Sequence, residues 1–245
     1  RKEETKSPVA WFETSKMGEP WTAKWITPDW EEKDIHPLLR KGFFLDGEVA
    51  SARAYTCGLG LYEMELNGKK AGEEYLTPYC NAYDKWIQYQ TYDITDLVSP
   101  GENAVGIMLG NGWYKGRFGF QDNTGNIYGD TMACICELII TYKDGRTVTI
   151  ATDEGWKATP GPVQASNIYD GEIYDSNKQI AGWSEAGTDD SQWSGTRWID
   201  IGTDRLEARR SLPVPVMEEL KPVQAMQTPK GETVLDMGQN MVGWM

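Results

Sequence analysis

Histidine is nearly absent from the 245-residue chain: His36, in EEKDIHPLLR, is its one copy. A Ser-His-Asp triad or a zinc site made of several imidazoles has little to draw on here, and His36 itself reads as a surface-loop residue. Cysteine is scarce as well. Cys57, Cys80, Cys134 and Cys136 fall far short of the density of a disulfide-stapled secreted scaffold. Cys134 and Cys136 stand two apart in MACICELII, which puts both on one face of a strand rather than in a C-x-x-C redox turn, so they read as small core residues. No run approaches the roughly 18 apolar residues of a membrane span, and the opening RKEETKSPVA lacks the apolar centre of a signal peptide. Basic residues are outnumbered: 24 against 37 acids leave a net charge of -13, which repels a phosphate backbone and excludes nucleic acid as a partner. No segment keeps a 3.6-residue apolar period over three turns, which excludes a helical bundle.

What is present is β signal. YEMELNGKKAG alternates Tyr62, Met64 and Leu66 with Glu63 and Glu65, then turns at Asn67-Gly68, the pair that most readily takes the two left-handed conformations of a type I′ hairpin. CELIITYKDGRTVTIAT repeats the pattern around Asp144-Gly145 and is expected to use the same turn. WIQYQTYDIT and NAVGIMLG add two strands, separated by the breaker SPGEN. The fold class expected is all-β: an antiparallel β-sandwich or jelly roll with partial flanking segments. Residues 1–36, rich in Trp and Pro, read as the end of a preceding module or a linker. Residues 37–205 are expected to form the jelly roll, and 206–245 a proline-punctuated connector leading into the first strand of a further β domain. With no initiator Met, and ending at VGWM within an apolar run, the sequence is expected to be a piece of a longer chain.

ARAYTCGLGLYEMELNGKKAG, YQTYDITDLVSPGENAVGIMLGNGWYKGRFG, YDGEIYDS and VLDMGQNMVGW, in that order and spacing, resemble the N-terminal ancillary region of bacterial α-L-rhamnosidases, glycoside hydrolase family seventy-eight. The resemblance runs from about Trp11 to Met245. It implies a modular periplasmic or extracellular enzyme with a fibronectin-like module, a galactose-binding-like jelly roll, a further β-sandwich and an α/α barrel holding the catalytic carboxylates. In some members the jelly roll binds rhamnose with the help of calcium. Nothing in this sequence resembles the barrel, so the chain by itself is expected to hydrolyse nothing. The implied partners are a rhamnose-containing glycan and the catalytic domain downstream. Two other roles stand beside glycan recognition: a structural spacer packed on the catalytic domain, and a glycan-binding adhesin module with no enzyme attached.

The stretch LGNGWYKGRFGF sets aromatic rings and cations among glycines where a strand ends, at one end of the sandwich. A pyranose has one fairly apolar face and a rim of hydroxyls, which an aromatic ring and planar polar side chains match. Asn111, Trp113, Tyr114 and Arg117 are therefore candidate sugar contacts, Trp113 serving either as a stacking platform or as packing, and Lys115 reading as solvated surface. NIYDGEIYDSN adds Tyr169 and Glu172 to the sugar candidates, and Asp170 and Asp175 as oxygen ligands suited to calcium, a hard cation wanting six to eight oxygens. QDNTGN adds Asp122 and Asn123 to the calcium candidates. The alternative for both loops is side chains that stabilise turns. By resemblance to the family's loop, Asn81 and Asp84 in TPYCNAYDK face the same end as Trp113, although Tyr79 and Cys80 depart from the family's usual Pro-Gly-Trp/Tyr-x-Asp-Tyr run. No cofactor is required on this reading. Trp21, Trp25, Trp156, Trp183, Trp193 and Trp198 read as core or inter-module packing.

Overall fold

The computed structural model describes residues 12–118 and 124–243. Among these, sixteen strands follow in chain order: β1 (Ile26–Pro28), β2 (Pro37–Leu45), β3 (Val49–Leu59), β4 (Leu61–Leu66), β5 (Lys69–Lys70), β6 (Ile87–Asp93), β7 (Gly101–Gly110), β8 (Ala133–Tyr142), β9 (Thr147–Ala151), β10 (Lys157–Pro160), β11 (Val163–Asn167), β12 (Gly171–Tyr174), β13 (Ser194–Trp198), β14 (Leu206–Ala208), β15 (Gln224–Gln227) and β16 (Thr233–Asp236). One helical turn, α1 (Gly112–Lys115), follows β7.

The strands make an antiparallel jelly-roll sandwich. One leaf is β14-β6-β3-β8, with β9 on the far side of β8; the other is β10-β2-β7-β4-β5. Strand β13 joins them, pairing Thr196 to Trp198 with β1 and Ser194 and Gly195 with β10. Strand β14 runs parallel to β6, and the other ladders are antiparallel.

Alternation explains which side chains meet. In β4, Tyr62, Met64 and Leu66 are buried and the residues between them half-buried, as period-2 patterning requires. They meet Ile107 and Leu109 of β7, and Cys134, Cys136, Leu138 and Ile140 of β8, in the space between the leaves. Both cysteines are buried there as free thiols on one strand face. Burial raises the Cys136 pKa to about 12, so this thiol stays protonated. Strand β8 is buried on its other face too, where Ala133 and Ile135 join Trp25, Tyr55, Cys57, Tyr83, Ile87 and Tyr89 in a second core. A strand covered on both sides reads as the near-continuous apolar run ACIC.

The Asn67-Gly68 hairpin is as expected, with φ of 50° and 77° at its two central residues. The Asp144-Gly145 turn is not. Only Gly145 is left-handed, at φ 87°. Its N–H donates to Tyr142 O at 3.0 Å and Tyr142 N–H to Arg146 O at 2.8 Å, the geometry of a three-residue turn closed by a glycine bulge rather than type I′. Within the 1–36 segment, Trp25 and Ile26 are buried and β1 pairs with both β8 and β13. Beyond residue 205, β14 pairs with β6. The sandwich thus draws on residues either side of the 37–205 span. Among the described residues the β15–β16 hairpin pairs only with itself, and it is exposed along both strands. Trp156 and Trp25 are core, whereas Trp198 is 46% exposed, its ring 5.3 Å from Lys24 Nζ.

Candidate functional site

The chain leaves β7 through a glycine that nothing else replaces easily. Gly112 sits at φ 53°, and a Cβ there would lie 2.8 Å from both the main-chain nitrogen and Cγ of Leu61. This close approach pins α1 against β4. Its one turn closes with Lys115 N–H on Asn111 O and Gly116 N–H on Gly112 O, each at 3.1 Å. Lys115 then points inward rather than into solvent. Its side chain is 4% exposed and donates to Asp34 Oδ1 at 2.8 Å and to the Lys33 carbonyl. That hydrogen bond, with the ammonium charge behind it, holds the Asp34 carboxyl below its ordinary pKa. The solvated role expected for Lys115 is wrong because its partners lie about eighty residues away in sequence, beyond any local pattern.

Tyr114 turns toward the second core. Its ring meets Tyr83 edge-on at 5.2 Å, and Tyr128 packs on Tyr83 at the same separation. These three rings wall a cleft of about 360 Å³ whose apolar floor is Leu59, Ile87 and Ile201, with Asp84, Asp200 and Arg205 around it. The Arg205 guanidinium is held by Tyr83 O at 2.8 Å and Ile201 O at 3.3 Å. Burial raises the phenol pKa of Tyr83 and of Tyr114, so both stay neutral hydroxyls that donate and accept. The lining combines aromatic rings, carboxylates and a fixed guanidinium, groups that suit a small ligand with one apolar face and a polar rim. The volume lies within the few hundred Å³ usual for small-ligand sites.

Of the sugar candidates, the structure brings Tyr114 and Asp84 together here. Trp113 is half-buried and packs on the second core outside the cleft lining. Arg117 lies elsewhere, in a pair with Asp170: Nε to Oδ2 is 2.7 Å, a second bond joins the other oxygen, and the Tyr169 ring lies 5.8 Å away. Glu172 is exposed on β12. Asn81 is buried, its amide spent on Pro78 O at 2.9 Å and Tyr79 O at 3.2 Å, and its Oδ1 accepts from Gln88 N–H at 3.2 Å. Asn111 binds Ser166 through both its N–H and its side-chain amide. The sequence reading missed Tyr83, Tyr128, Asp200, Ile201 and Arg205, which arrive from three separate stretches. The Tyr83–Asp84 neighbourhood was the one local cue.

Of the calcium candidates, the two within the described residues are engaged elsewhere. Both oxygens of Asp170 are held by Arg117, which keeps its pKa low. Asp175 caps the 3-10 turn Ser176–Lys178 by accepting from Asn177 N–H and Asn177 Nδ2, both at 3.0 Å. Asp122 and Asn123 lie outside the described residues. Among the described residues no three His, Cys, Asp or Glu side chains gather as a metal group.

Fold and cleft together define an all-β jelly-roll module with a polar, aromatic-walled recess beside its loops. Residues 47–218 match the model of the α-L-rhamnosidase N-terminal domain. The chain belongs to that family. An α-L-rhamnosidase of an Alteromonas species is 36% identical over 236 residues, spanning 91% of this chain and 25% of that one. The native α-L-rhamnosidase of Aspergillus terreus superposes with a TM-score of 0.86 at 38% identity, over 91% of this chain and 26% of that one. The Streptomyces avermitilis enzyme, solved in complex with L-rhamnose, gives 0.80 at 37% identity, over 84% and 20%. The chain spans between 19% and 27% of the curated relatives it matches. Among the described residues no helix is long and apolar enough to cross a membrane.

Proposed function

We propose that this chain is the non-catalytic N-terminal part of an exported α-L-rhamnosidase, and that its jelly roll helps recognise rhamnose-containing glycan through the Tyr114–Asp84 cleft. The parent reaction is hydrolysis of a terminal α-L-rhamnosyl bond, performed by residues downstream of this stretch. The observation that carries the reading is the cleft: Tyr83, Tyr114 and Tyr128 wall a recess of pyranose size, with Asp84, Asp200 and Arg205 beside them. The L-rhamnose bound by the Streptomyces avermitilis protein supports the choice of sugar. One observation favours the spacer reading instead, namely that Trp113 packs on the second core and offers no open platform.

Calorimetric titration of the chain with L-rhamnose, with and without calcium, separates the two. Recognition predicts weak, saturable heat that Tyr114→Ala and Asp84→Asn each remove without changing the circular dichroism. No heat in either condition leaves the scaffold role.

A further inference from the structure

The one histidine lies at a junction of three elements. His36, at the end of the loop between β1 and β2, is 3% exposed, contrary to the surface position expected for it. Its carbonyl accepts from Gly161 N–H at 2.8 Å, just ahead of β11. Its Nε2 lies 2.7 Å from Ser166 Oγ in β11. The same hydroxyl accepts from Asn111 N–H at 3.1 Å, and Ser166 O accepts from Asn111 Nδ2 at 2.9 Å. Ser166 therefore ties the β1–β2 loop to the residue that opens α1. The other ring nitrogen, Nδ1, and the Asn111 Oδ1 are both buried without a hydrogen-bond partner.

A neutral imidazole meets Ser166 with one nitrogen, and its other nitrogen bears at most a neutral dipole. The cation is a donor at both nitrogens, and its second N–H has only the poorly placed Asp34 main chain to meet, in a buried site that also holds the Lys115 ammonium. The charged groups that face the ring are few. Lys115 comes from α1, its ammonium buried. Asp34 comes from the histidine's own loop, its carboxylate committed to Lys115 at 2.8 Å. Strand β11 and the turn before it offer the uncharged Ser166 and Gly161, and Lys33 is paired with Asp130 at the surface. Burial pushes the His36 pKa below its ordinary value, and Lys115 adds to this. Together they outweigh the pull of the Asp34 main chain and carboxylate.

We propose that His36 is an acid-sensitive latch: neutral, it fastens the β11–β12 hairpin to the β1–β2 loop, and protonated, it lets the hairpin go. The hairpin tip carries Asp170, which grips Arg117 just past α1. The hairpin carries α1 through Ser166 on Asn111 and Asp170 on Arg117, so freeing the hairpin from His36 leaves α1, and the seat of Tyr114 in the cleft wall, on a less fixed support, with Lys115 still bonded to Lys33 O and Asp34.

A single histidine makes the test direct. Its imidazole resonances in a proton NMR titration from about pH 8 to about pH 5 belong to one ring, and they should move only below the ordinary histidine value of about 6.5. Hydrogen exchange, corrected for intrinsic rate, should show protection of residues 109–117 and 163–174 falling by up to about tenfold per pH unit once the ring titrates. Elsewhere protection should hold. His36→Gln, which can still bond Ser166 but carries no titrating proton, should abolish that pH dependence. A ring that titrates at or above the ordinary value overturns the latch. So does an equal loss of protection in His36→Gln, or a loss spread evenly over the sandwich. If His36→Gln does not fold, the wild-type titration and the location of its exchange decide alone.

Discussion

Glu137 sits on the second face of β8, 2% exposed, and takes a full charge into the core. It is tolerable there because both oxygens are partnered: Lys16 Nζ at 2.6 Å on one, and Thr22 N–H at 2.7 Å, Thr22 Oγ1 at 2.8 Å and Ala23 N–H at 3.2 Å on the other. Lys16 is in turn about 5 Å from the Trp21 and Tyr55 rings. Burial alone would raise the carboxyl pKa, but the bonds from Lys16 and Thr22 win and hold it below the ordinary value. The folded state therefore keeps Glu137 ionised where the unfolded chain has begun to bind a proton. Its contribution is complete at neutral pH and is lost as pH falls from about 4.3 through the lower folded value. Glu137→Gln should cost about 3–5 kcal/mol, measured by urea unfolding near pH 7, because it strands the buried Lys16 charge. Lys16→Met in the same chain should return part of that loss, and additive losses would disprove the coupling. Next to Tyr128, Gly129 carries no side chain where a Cβ would collide with the Tyr114 hydroxyl. Gly129→Ala should therefore displace the Tyr114 ring and weaken any rhamnose heat while leaving the urea midpoint little changed.

At the scale of elements, the turns separate what is local from what is not. Asn67-Gly68 was legible because its chemistry is contained in two residues: both must be left-handed, and Asn and Gly tolerate that. Asn67 also accepts from Ala104 N–H at 2.9 Å and donates to Leu97 O at 2.9 Å, which no local pattern could announce. The alternation in β4 and the apolar run of β8 were legible for the same local reason. The cleft and the inward turns of His36 and Lys115 were not, since each depends on residues that the topology brings from far along the chain. Glycines at positive φ make the distinction measurable. Gly145, at φ 87°, has nothing within 4 Å of where a Cβ would stand, so Gly145→Ala should cost only the left-handed backbone penalty of about 1–2 kcal/mol. Gly60, at φ 116°, has the Gly110 carbonyl oxygen in that place, where β4 meets the end of β7. Gly60→Ala should leave no cooperative unfolding transition, and a variant within about 2 kcal/mol of wild type would show that the two strands can part.

Over the whole molecule, the sequence marks the proline-rich connector after residue 205 as a break, yet the first ten residues of it lie on the sandwich. After β14, Arg209 N–H donates to Tyr89 O at 3.1 Å, and Gln88 Oε1 accepts from Arg210 N–H at 2.9 Å and Ser211 N–H at 3.1 Å. Tyr75 N–H reaches Val214 O at 3.0 Å, and Glu74 bridges Pro215. Proline spacing says only that such a segment is extended, and its docking needs Glu74, Gln88 and Tyr89 from elsewhere in the chain. One fastener is ionic. Arg209 Nη1 lies 2.6 Å from Glu74 Oε2, on a carboxylate that is 4% exposed and that also accepts from the Tyr79 hydroxyl. Burial and that carboxylate raise the Tyr79 pKa to about 12, so the phenol remains a donor. Arg209→Met keeps the length of the stem but leaves Glu74 buried without its cation, a loss of about 1–3 kcal/mol. The expected outcome is faster hydrogen exchange and protease cutting at residues 209–215, with the β4–β7 ladder unaffected. Adding Glu74→Gln to Arg209→Met should recover part of the stability, because a neutral amide tolerates the site better than an unpaired carboxylate. Unchanged exchange at residues 209–215 in Arg209→Met would mean that the main-chain bonds to Gln88 and Tyr75 hold the connector without help from the ion pair.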